Sequence, residues 1–128
     1  MTLPTLTAVE LHKRSKTLEL RYDNNEHYEL SSEYLRVYSP SAEVKGHGPG
    51  QERLQTGKQT VGILSLEAVG NYALKFTFDD GHDSGIYTFA YLYDLASNFE
   101  SHWQDYLQRL KTAGASRDPD LQVVKIGL

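Results

Sequence analysis

The stretch VGNYALKFTFDDGHDSGIY, residues 69–87, decides the fold. Its first half places an apolar side chain at every second position, at Tyr72, Leu74, Phe76 and Phe78. That period is typical of a strand with one buried face. Asp-Asp-Gly at 79–81 then supplies turn chemistry, because glycine accepts a positive φ and aspartate bonds its own local backbone. An extended run resumes at 85–87, so the stretch predicts a β-hairpin.

Three shorter segments before this hairpin, 6–12, 17–22 and 28–30, also alternate and are separated by polar turns. They predict a three-stranded antiparallel meander. His12 and His27 are expected on its solvent side and receive no functional role. Residues 33–36 are expected to form a short helix, with Ser31 or Ser32 as its N-cap.

Residues 61–69 carry apolar side chains on both faces, which predicts a central strand covered on each side. The three-and-four spacing of apolar residues after Thr88 predicts one long helix over 89–111, ended by Gly114. The chain is therefore expected to be α+β: an antiparallel sheet of about six strands, one long C-terminal helix packed across it and one short helix. Residues 1–114 should form one domain, and 115–128 a tail that is flexible, adds an edge strand or engages a partner.

Composition excludes several classes of protein. The 128 residues contain no cysteine, so neither a disulfide nor a thiolate metal site can form. The net charge is −4 with no basic stripe, which argues against nucleic acid as a partner. No apolar stretch approaches the ~20 residues that span a bilayer, and the N-terminus does not resemble a signal peptide. We expect a cytoplasmic protein without membrane contact.

Residues 38–60 show little periodicity and contain Gly-His-Gly-Pro-Gly at 46–50. A segment this long in a compact domain is expected to be functional or mobile. It is not a P-loop, because Glu52 stands where that motif needs its first glycine before Gly57-Lys58.

The polar turn of the hairpin contains residue types that suit acid–base or metal chemistry, chiefly Asp80, His82 and Asp83. Neighbours within one turn do not converge on one point as a catalytic triad does, so a polar turn without catalysis is the favoured interpretation. The alternative is a loose metal site that combines His82 with Asp80, Asp83 or His47.

Four blocks read together carry a family resemblance: Tyr-Leu-Arg at 34–36, Ser-Pro-Ser-Ala at 39–42, Val-Gly-Asn-Tyr-Ala at 69–73 and Asp-Gly-His-Asp-Ser-Gly-Ile-Tyr at 80–87. In this order and spacing they resemble the DUF971 family. That family is similar to the N-terminal domain of gamma-butyrobetaine hydroxylase and trimethyllysine hydroxylase. The resemblance covers roughly residues 5–112.

In the hydroxylases this domain resembles a zinc module with three cysteines and one histidine. The resemblance places the cysteine positions on Ser39, Ser41 and Val44, and the histidine position on His82. Serine hydroxyls stay protonated and valine has no lone pair, so the resemblance implies a vestigial site without structural zinc and no cofactor. We hypothesise that His82 instead hydrogen-bonds to Ser39 or Ser41.

The oxygenase activity is not expected here, because His82 is not followed by the carboxylate of a His-x-Asp iron motif and no catalytic barrel follows. Family members also resemble a domain fused to P-loop ATPases that carry iron–sulfur clusters. The preferred function is therefore a non-enzymatic accessory domain that binds a protein partner, linked to iron–sulfur cofactor assembly. An exposed apolar patch with Tyr91, Tyr93 or the tail would favour this function.

The alternative is a small-molecule or metal-binding protein, with the 38–60 loop and the His82 hairpin as two lips of a pocket. Its expected ligand or partner contacts are Arg36, His47, Asp80, His82 and Asp83. Arg36 is expected either to bond loop carbonyls or to bind a carboxylate or phosphate.

Overall fold

The computed structural model describes residues 3–46 and 50–121. Within these ranges the chain forms six strands and four helices, which follow one another as β1 (Leu6–His12), β2 (Thr17–Tyr22), β3 (His27–Ser31), α1 (Ser32–Val37), α2 (Ala42–Lys45), β4 (Ile63–Val69), β5 (Ala73–Phe78), β6 (Ile86–Thr88), α3 (Phe89–Ser97) and α4 (Phe99–Ala113). The α+β class and the long C-terminal helix are as predicted. No helix in this part of the chain combines the length and the hydrophobicity needed to cross a bilayer.

The strands form two antiparallel sheets rather than one. Sheet A has the order β1-β2-β3 and sheet B the order β4-β5-β6. Apolar side chains from both sheets and from α3 share one buried core, among them Leu18, Leu20, Leu74, Phe76 and Leu92. Each sheet buries one face in that common core, so the strands reach it without hydrogen-bonding into a single sheet.

The prediction of a central strand at 61–69 is wrong. β5 is the middle strand of sheet B, and β4 lies at its edge. The β4–β5 register shifts between Ile63 and Ser65, and Leu64 at the irregularity is 53% exposed. A bulge adds a residue and changes which face the next side chain occupies, so apolar residues fall on both faces of an edge strand.

The predicted helix over 89–111 is interrupted at Asn98, which has φ −115° and ψ 30° and separates α3 from α4. The Asn98 side-chain amide donates to the backbone oxygen of Asp94 at 3.2 Å and to its Oδ1 at 2.9 Å. Such local bonds compete with the helical backbone pattern. The predicted ends are confirmed: Thr88 accepts from the backbone N–H of Tyr91, and Gly114 closes α4 in the left-handed conformation.

The short helix α1 begins as expected, because Ser31 Oγ accepts from the backbone N–H of Tyr34 at 3.0 Å. The sequence analysis did not predict the second short helix, α2, whose four residues lie within the 38–60 segment. α2 ends at Gly46, which has φ +74°, and a Cβ there would meet the backbone oxygen of Gln51 at 2.3 Å. Glycine is therefore required where this segment turns back on itself.

The first residues after α4 are bound to the domain. Arg117 donates to both carboxylate oxygens of Glu33, at 2.7 Å each, and Glu33 is buried. The backbone N–H groups of Gly57 and Gln59 donate to the carbonyls of Ser116 and Arg117, at 2.9 and 3.0 Å. Part of the predicted tail is thus attached to α1 and to the 38–60 segment. The rest of it, 122–128, lies outside the described residues.

Replacing Arg117 by alanine is expected to lower the free energy of unfolding by about 2 kcal/mol. The substitution leaves the Glu33 carboxylate buried without its partner, and the partial exposure of Arg117 keeps the loss below that of a fully buried pair. Urea denaturation measures the effect, with Lys111→Ala on the exposed part of α4 as the control. Equal stability of the two variants would contradict the prediction.

Candidate functional site

The turn between β5 and β6 is longer than a tight hairpin. β6 pairs only with the first half of β5, through Ala73–Lys75. Residues 79–85 form a loop. At its start, the backbone N–H of Phe78 donates to the carbonyl of His82 at 2.9 Å. Gly81 has φ +89°, a conformation that favours glycine. This loop directs His82 toward the segment that follows α1.

His82 is buried and hydrogen-bonds to the predicted serines. Its Nε2 lies 2.8 Å from Ser39 Oγ and 3.3 Å from Ser41 Oγ, which confirms the hypothesised hydrogen bond. Its Nδ1 lies 3.2 Å from a carboxylate oxygen of Glu43. Because a carboxylate only accepts, this contact assigns the imidazole proton to Nδ1, and Nε2 then accepts from the Ser39 hydroxyl.

The surroundings of His82 favour the neutral imidazole. Burial is the main cause that lowers the pKa of His82, and the positive charge of Arg36 acts in the same direction. The carboxylates of Glu43 and Asp80 oppose the shift without reversing it. A neutral imidazole with one donor and one acceptor is the form that fits a hydroxyl on one side and a carboxylate on the other.

Three of the four positions that the resemblance assigns to the zinc module of the hydroxylases meet in space, at Ser39, Ser41 and His82. Val44, at the third cysteine position, is buried beside the pocket described below. Two protonated hydroxyls, one imidazole and a methyl-bearing side chain do not form a zinc donor set. The residues present at these four positions do not fit the metal, and hydrogen bonds join the segments that a metal would join.

Asp80 connects the same loop to two cations. Its Oδ2 accepts from Arg36 Nε at 2.8 Å and from Lys58 Nζ at 2.6 Å, and its Oδ1 accepts from the backbone N–H of His82 at 3.1 Å. Burial alone raises the pKa of Asp80, but the hydrogen bonds from Lys58, His82 and Arg36 outweigh it and lower the pKa to about 2. Arg36 is buried and bonds a side-chain carboxylate rather than the loop carbonyls considered from the sequence.

Among the described residues, the remaining predicted contact, Asp83, does not join this group. Asp83 is exposed, and no contact links it to His82 among residues 3–46 and 50–121. His47 lies outside the described residues. Among the described residues, the loop therefore makes these side-chain contacts through Asp80 and His82.

Gly85 permits the close approach of the loop to the segment after α1. A Cβ at this position would lie 2.5 Å from Ser39 Oγ and 3.1 Å from Pro40 Cδ. No side chain fits at that distance, so glycine is required for contact rather than for a special backbone angle. In the Asp-Gly-His-x-x-Gly pattern, the Asp-Gly pair makes the turn, the histidine anchors the loop, and the last glycine permits close packing.

A concave site with aromatic and basic side chains lies elsewhere than the predicted pocket. A pocket of about 530 Å³ separates the 38–60 segment from α3 and α4. The side chains that define its character are Tyr38, Tyr91, Tyr106, Lys45, Arg53 and Arg109. The 38–60 segment is one wall, as expected, but helices form the opposite wall, and neither His82 nor Arg36 lines it. The expectation of the His82 hairpin as the second lip is wrong because His82 points into the protein, toward the serines.

Sequence reasoning missed the helical wall of this pocket. Three of its residues, His102, Tyr106 and Arg109, are spaced four and three apart on α4 and so share one helix face. That spacing is available in the sequence, but it does not distinguish a core residue from a pocket residue: Tyr106 is fully buried in the core and also lines the pocket. The tyrosines are fixed in place: Tyr38 donates its hydroxyl to the carbonyl of His102 at 2.6 Å, and Tyr91 to that of Tyr38 at 2.7 Å.

The chain is similar to known proteins both in sequence and in fold. Residues 9–93 match the family described as gamma-butyrobetaine hydroxylase-like, N-terminal. No curated protein matches the chain at a significant level. A protein with an NMR solution structure is 54% identical, with 99% of this chain and 100% of that chain covered and a TM-score of 0.82. A second NMR structure is 49% identical over 98% and 95% of the two chains, with a TM-score of 0.77.

A crystal structure of a protein of unknown function from Acidithiobacillus ferrooxidans, which belongs to the DUF971 family, is 30% identical to this chain. The match covers 68% of this chain and 86% of that one, with a TM-score of 0.57. These similarities agree with the family resemblance that the motifs at 34–42 and 69–87 carry.

The Asp80 contacts predict a pH dependence of stability. The folded-state pKa lies near 2, below the unfolded value of about 4, so the folded state favours the carboxylate. This contribution is complete above about pH 4 and is lost as pH falls toward 2; we expect it to be about 1–2 kcal/mol. Asp80→Asn should reduce stability at pH 7 and flatten the stability curve between pH 4 and 2, with Asp83→Asn as the matched control. Parallel curves for Asp80→Asn and the wild type would contradict this.

Proposed function

The chain belongs to the DUF971 family, whose members resemble the N-terminal domain of gamma-butyrobetaine hydroxylase, and we propose that it is a non-enzymatic binding domain whose pocket holds a ligand that carries a carboxylate. The observation that carries this proposal is the set of three cations, Lys45, Arg53 and Arg109, around a pocket with aromatic walls. A volume of about 530 Å³ lies within the usual range for small-molecule sites.

The charges of the pocket favour an anion. Its cations outnumber the single lining carboxylate, Glu52, although the whole chain has a net charge of −4. An arginine guanidinium offers a planar fork of donors that matches a carboxylate. The Arg109 guanidinium lies 5.8 Å from the centroid of the Tyr38 ring and forms an ion pair with Asp105, 3.2 Å from its Nε.

The walls of the pocket favour an apolar or aromatic body attached to that carboxylate. Val37, Val44 and Leu54 supply aliphatic surface beside the tyrosine rings. Lys45 Nζ already lies 4.3 Å from the centroid of the Tyr91 ring, a cation–π contact that keeps the ammonium at the edge of the pocket. A few placed charges over a mainly apolar lining are the usual composition of a ligand site.

The burial of the Ser39–His82–Glu43 chain supports a non-enzymatic function. These residues are hydrogen-bonded in the order of a nucleophile, a base and an orienting acid. In a catalytic triad the nucleophile is open to the substrate and the orienting acid is buried. Here Ser39 is fully buried and the Glu43 side chain is 71% exposed. Ser39 contributes to the pocket lining, but it is fully buried, and its Oγ is bonded to His82 and packed against Gly85 rather than presented to a substrate carbonyl.

A second candidate is the accessory role in which the domain binds a protein partner. It is favoured by the exposure of three large apolar side chains in or next to sheet B, at Leu64, Tyr72 and Ile86. Tyr91 and Tyr93, which were expected to mark such a patch, are only partly exposed and pack against the core. A link to iron–sulfur cofactor assembly stays a prediction from the family resemblance.

The pocket proposal predicts that aromatic and aliphatic carboxylates raise the melting temperature, whereas the matching amides do not. Arg53→Gln or Arg109→Gln should weaken binding of the best carboxylate about tenfold or more, because each removes a charge-assisted hydrogen bond. Lys111→Gln is the matched control, since it removes a cation from α4 outside the pocket. Chemical-shift titration of the backbone amides locates the ligand.

Two results would contradict the pocket proposal: binding that is equal for acids and amides, or shifts that lie outside the pocket. A lysate protein that is retained by the wild type and by Arg53→Gln, but is lost with Leu64→Asp and Ile86→Asp, would instead favour the accessory role through sheet B.

A further inference from the structure

The outward face of sheet A carries a row of like charges. The strand register places Glu10 directly opposite Glu19, and Glu19 directly opposite Glu29. Like charges in directly opposed positions destabilise an antiparallel pair. The glutamate carboxylates repel one another on this face of the sheet, and a cation bound between them would reduce that repulsion.

Two imidazoles stand beside this row. His12 Nε2 lies 3.4 Å from Glu19 Oε2 and 3.7 Å from Glu10 Oε2. His27 approaches the other oxygen of Glu19, so that carboxylate contacts a histidine on each side. One ligand atom from each of Glu10, His12 and Glu19 lies within 4.8 Å of the other two.

We propose that Glu10, His12 and Glu19 bind a divalent transition-metal ion, with zinc as the best match. Imidazole and carboxylate are both good zinc ligands, with metal–ligand bonds of about 2.0–2.2 Å. In a tetrahedral site, bonds of that length separate neighbouring ligand atoms by about 3.3 Å. The two His12 distances are close to that value, so only the Glu10 carboxylate moves inward, and its side chain is 53% exposed.

The metal takes the place of a proton. Without metal, the Nε2–H of His12 donates between the two carboxylates, since a carboxylate only accepts. On binding, the ion displaces that proton from Nε2, the neutral imidazole carries its proton on Nδ1 instead, the Nε2 lone pair coordinates the ion, and water fills the fourth position. The dication neutralises the two carboxylates that face each other.

His27 acts as a positioning residue. His27 contacts Oε1 of Glu19, on the side of the carboxylate away from His12. The other oxygen, Oε2, is left to coordinate the metal. Arg21 also reaches Glu19, at 3.4 Å, but its side chain is 54% exposed and is free to turn away. Partners of this kind orient metal ligands in known sites.

Titration of the metal-free protein with zinc chloride, followed by calorimetry and by imidazole NMR signals, tests the proposal. We expect one zinc ion per chain and selective shifts of the His12 and His27 signals. His12→Gln and Glu19→Gln should each abolish the heat of binding, and His27→Gln should weaken it by about tenfold. Glu67→Gln is the control, because it removes an exposed strand carboxylate that faces Lys75 on sheet B.

Three of the four variants lie on exposed strand positions and Glu19 is half-buried, and the amide spectra of all four show whether the fold is kept. Zinc binding that survives both His12→Gln and Glu19→Gln places the metal at another site and overturns the proposal. Less than half an equivalent of zinc on the wild type, or an equal loss in Glu67→Gln, overturns it as well. None of these results depends on the pocket next to α4.

Discussion

The loop at 79–85 is held against the end of α1 by two side chains that point in different directions, and the rest of sheet B depends on that attachment. Asp80 reaches Arg36 and Lys58, while His82 reaches Ser39. Because β6 has only three residues and pairs along half of β5, its own ladder contributes few hydrogen bonds. Contacts made by the loop therefore fix where β6 and α3 begin.

The same attachment shapes the candidate ligand pocket. The segment that His82 holds continues directly into α2, and Ser39 and Val44 belong to the pocket lining. The family resemblance implies a metal that joins these segments in the related hydroxylases. Here a neutral imidazole, two hydroxyls and a buried Arg–Asp pair join them, with contributions of about 1 kcal/mol for a neutral hydrogen bond and somewhat more for the charged ones. A polar anchor of this strength keeps this wall of the pocket in place.

Local sequence signals predicted the local structure well. The alternation in the first three strands, the caps at Ser31 and Thr88 and the glycine at 114 all appear as expected. The division into two sheets was not predictable in this way, because it depends on how the strands share a core. Asn98 interrupts a helix whose apolar spacing continues past it, so periodicity alone does not reveal the break.

The site was partly predictable. The contact of His82 with Ser39 followed from the family resemblance, whereas the pocket joins Arg53 to Arg109, which are too far apart in sequence for a spacing argument. The cluster at Glu10 and Glu19 needed only the register of the first hairpin, but the outward strand positions were treated as solvent-facing without a role.

A double-mutant cycle on His82 and Ser39 tests most directly whether this hydrogen bond anchors the loop. Stability in urea at pH 7.5 is compared for the wild type, His82→Ala, Ser39→Ala and the double variant. The account predicts a coupling free energy of about 1 kcal/mol or more between the two substitutions. Strictly additive effects, with no coupling, would show that the two side chains stabilise the protein independently and would contradict it.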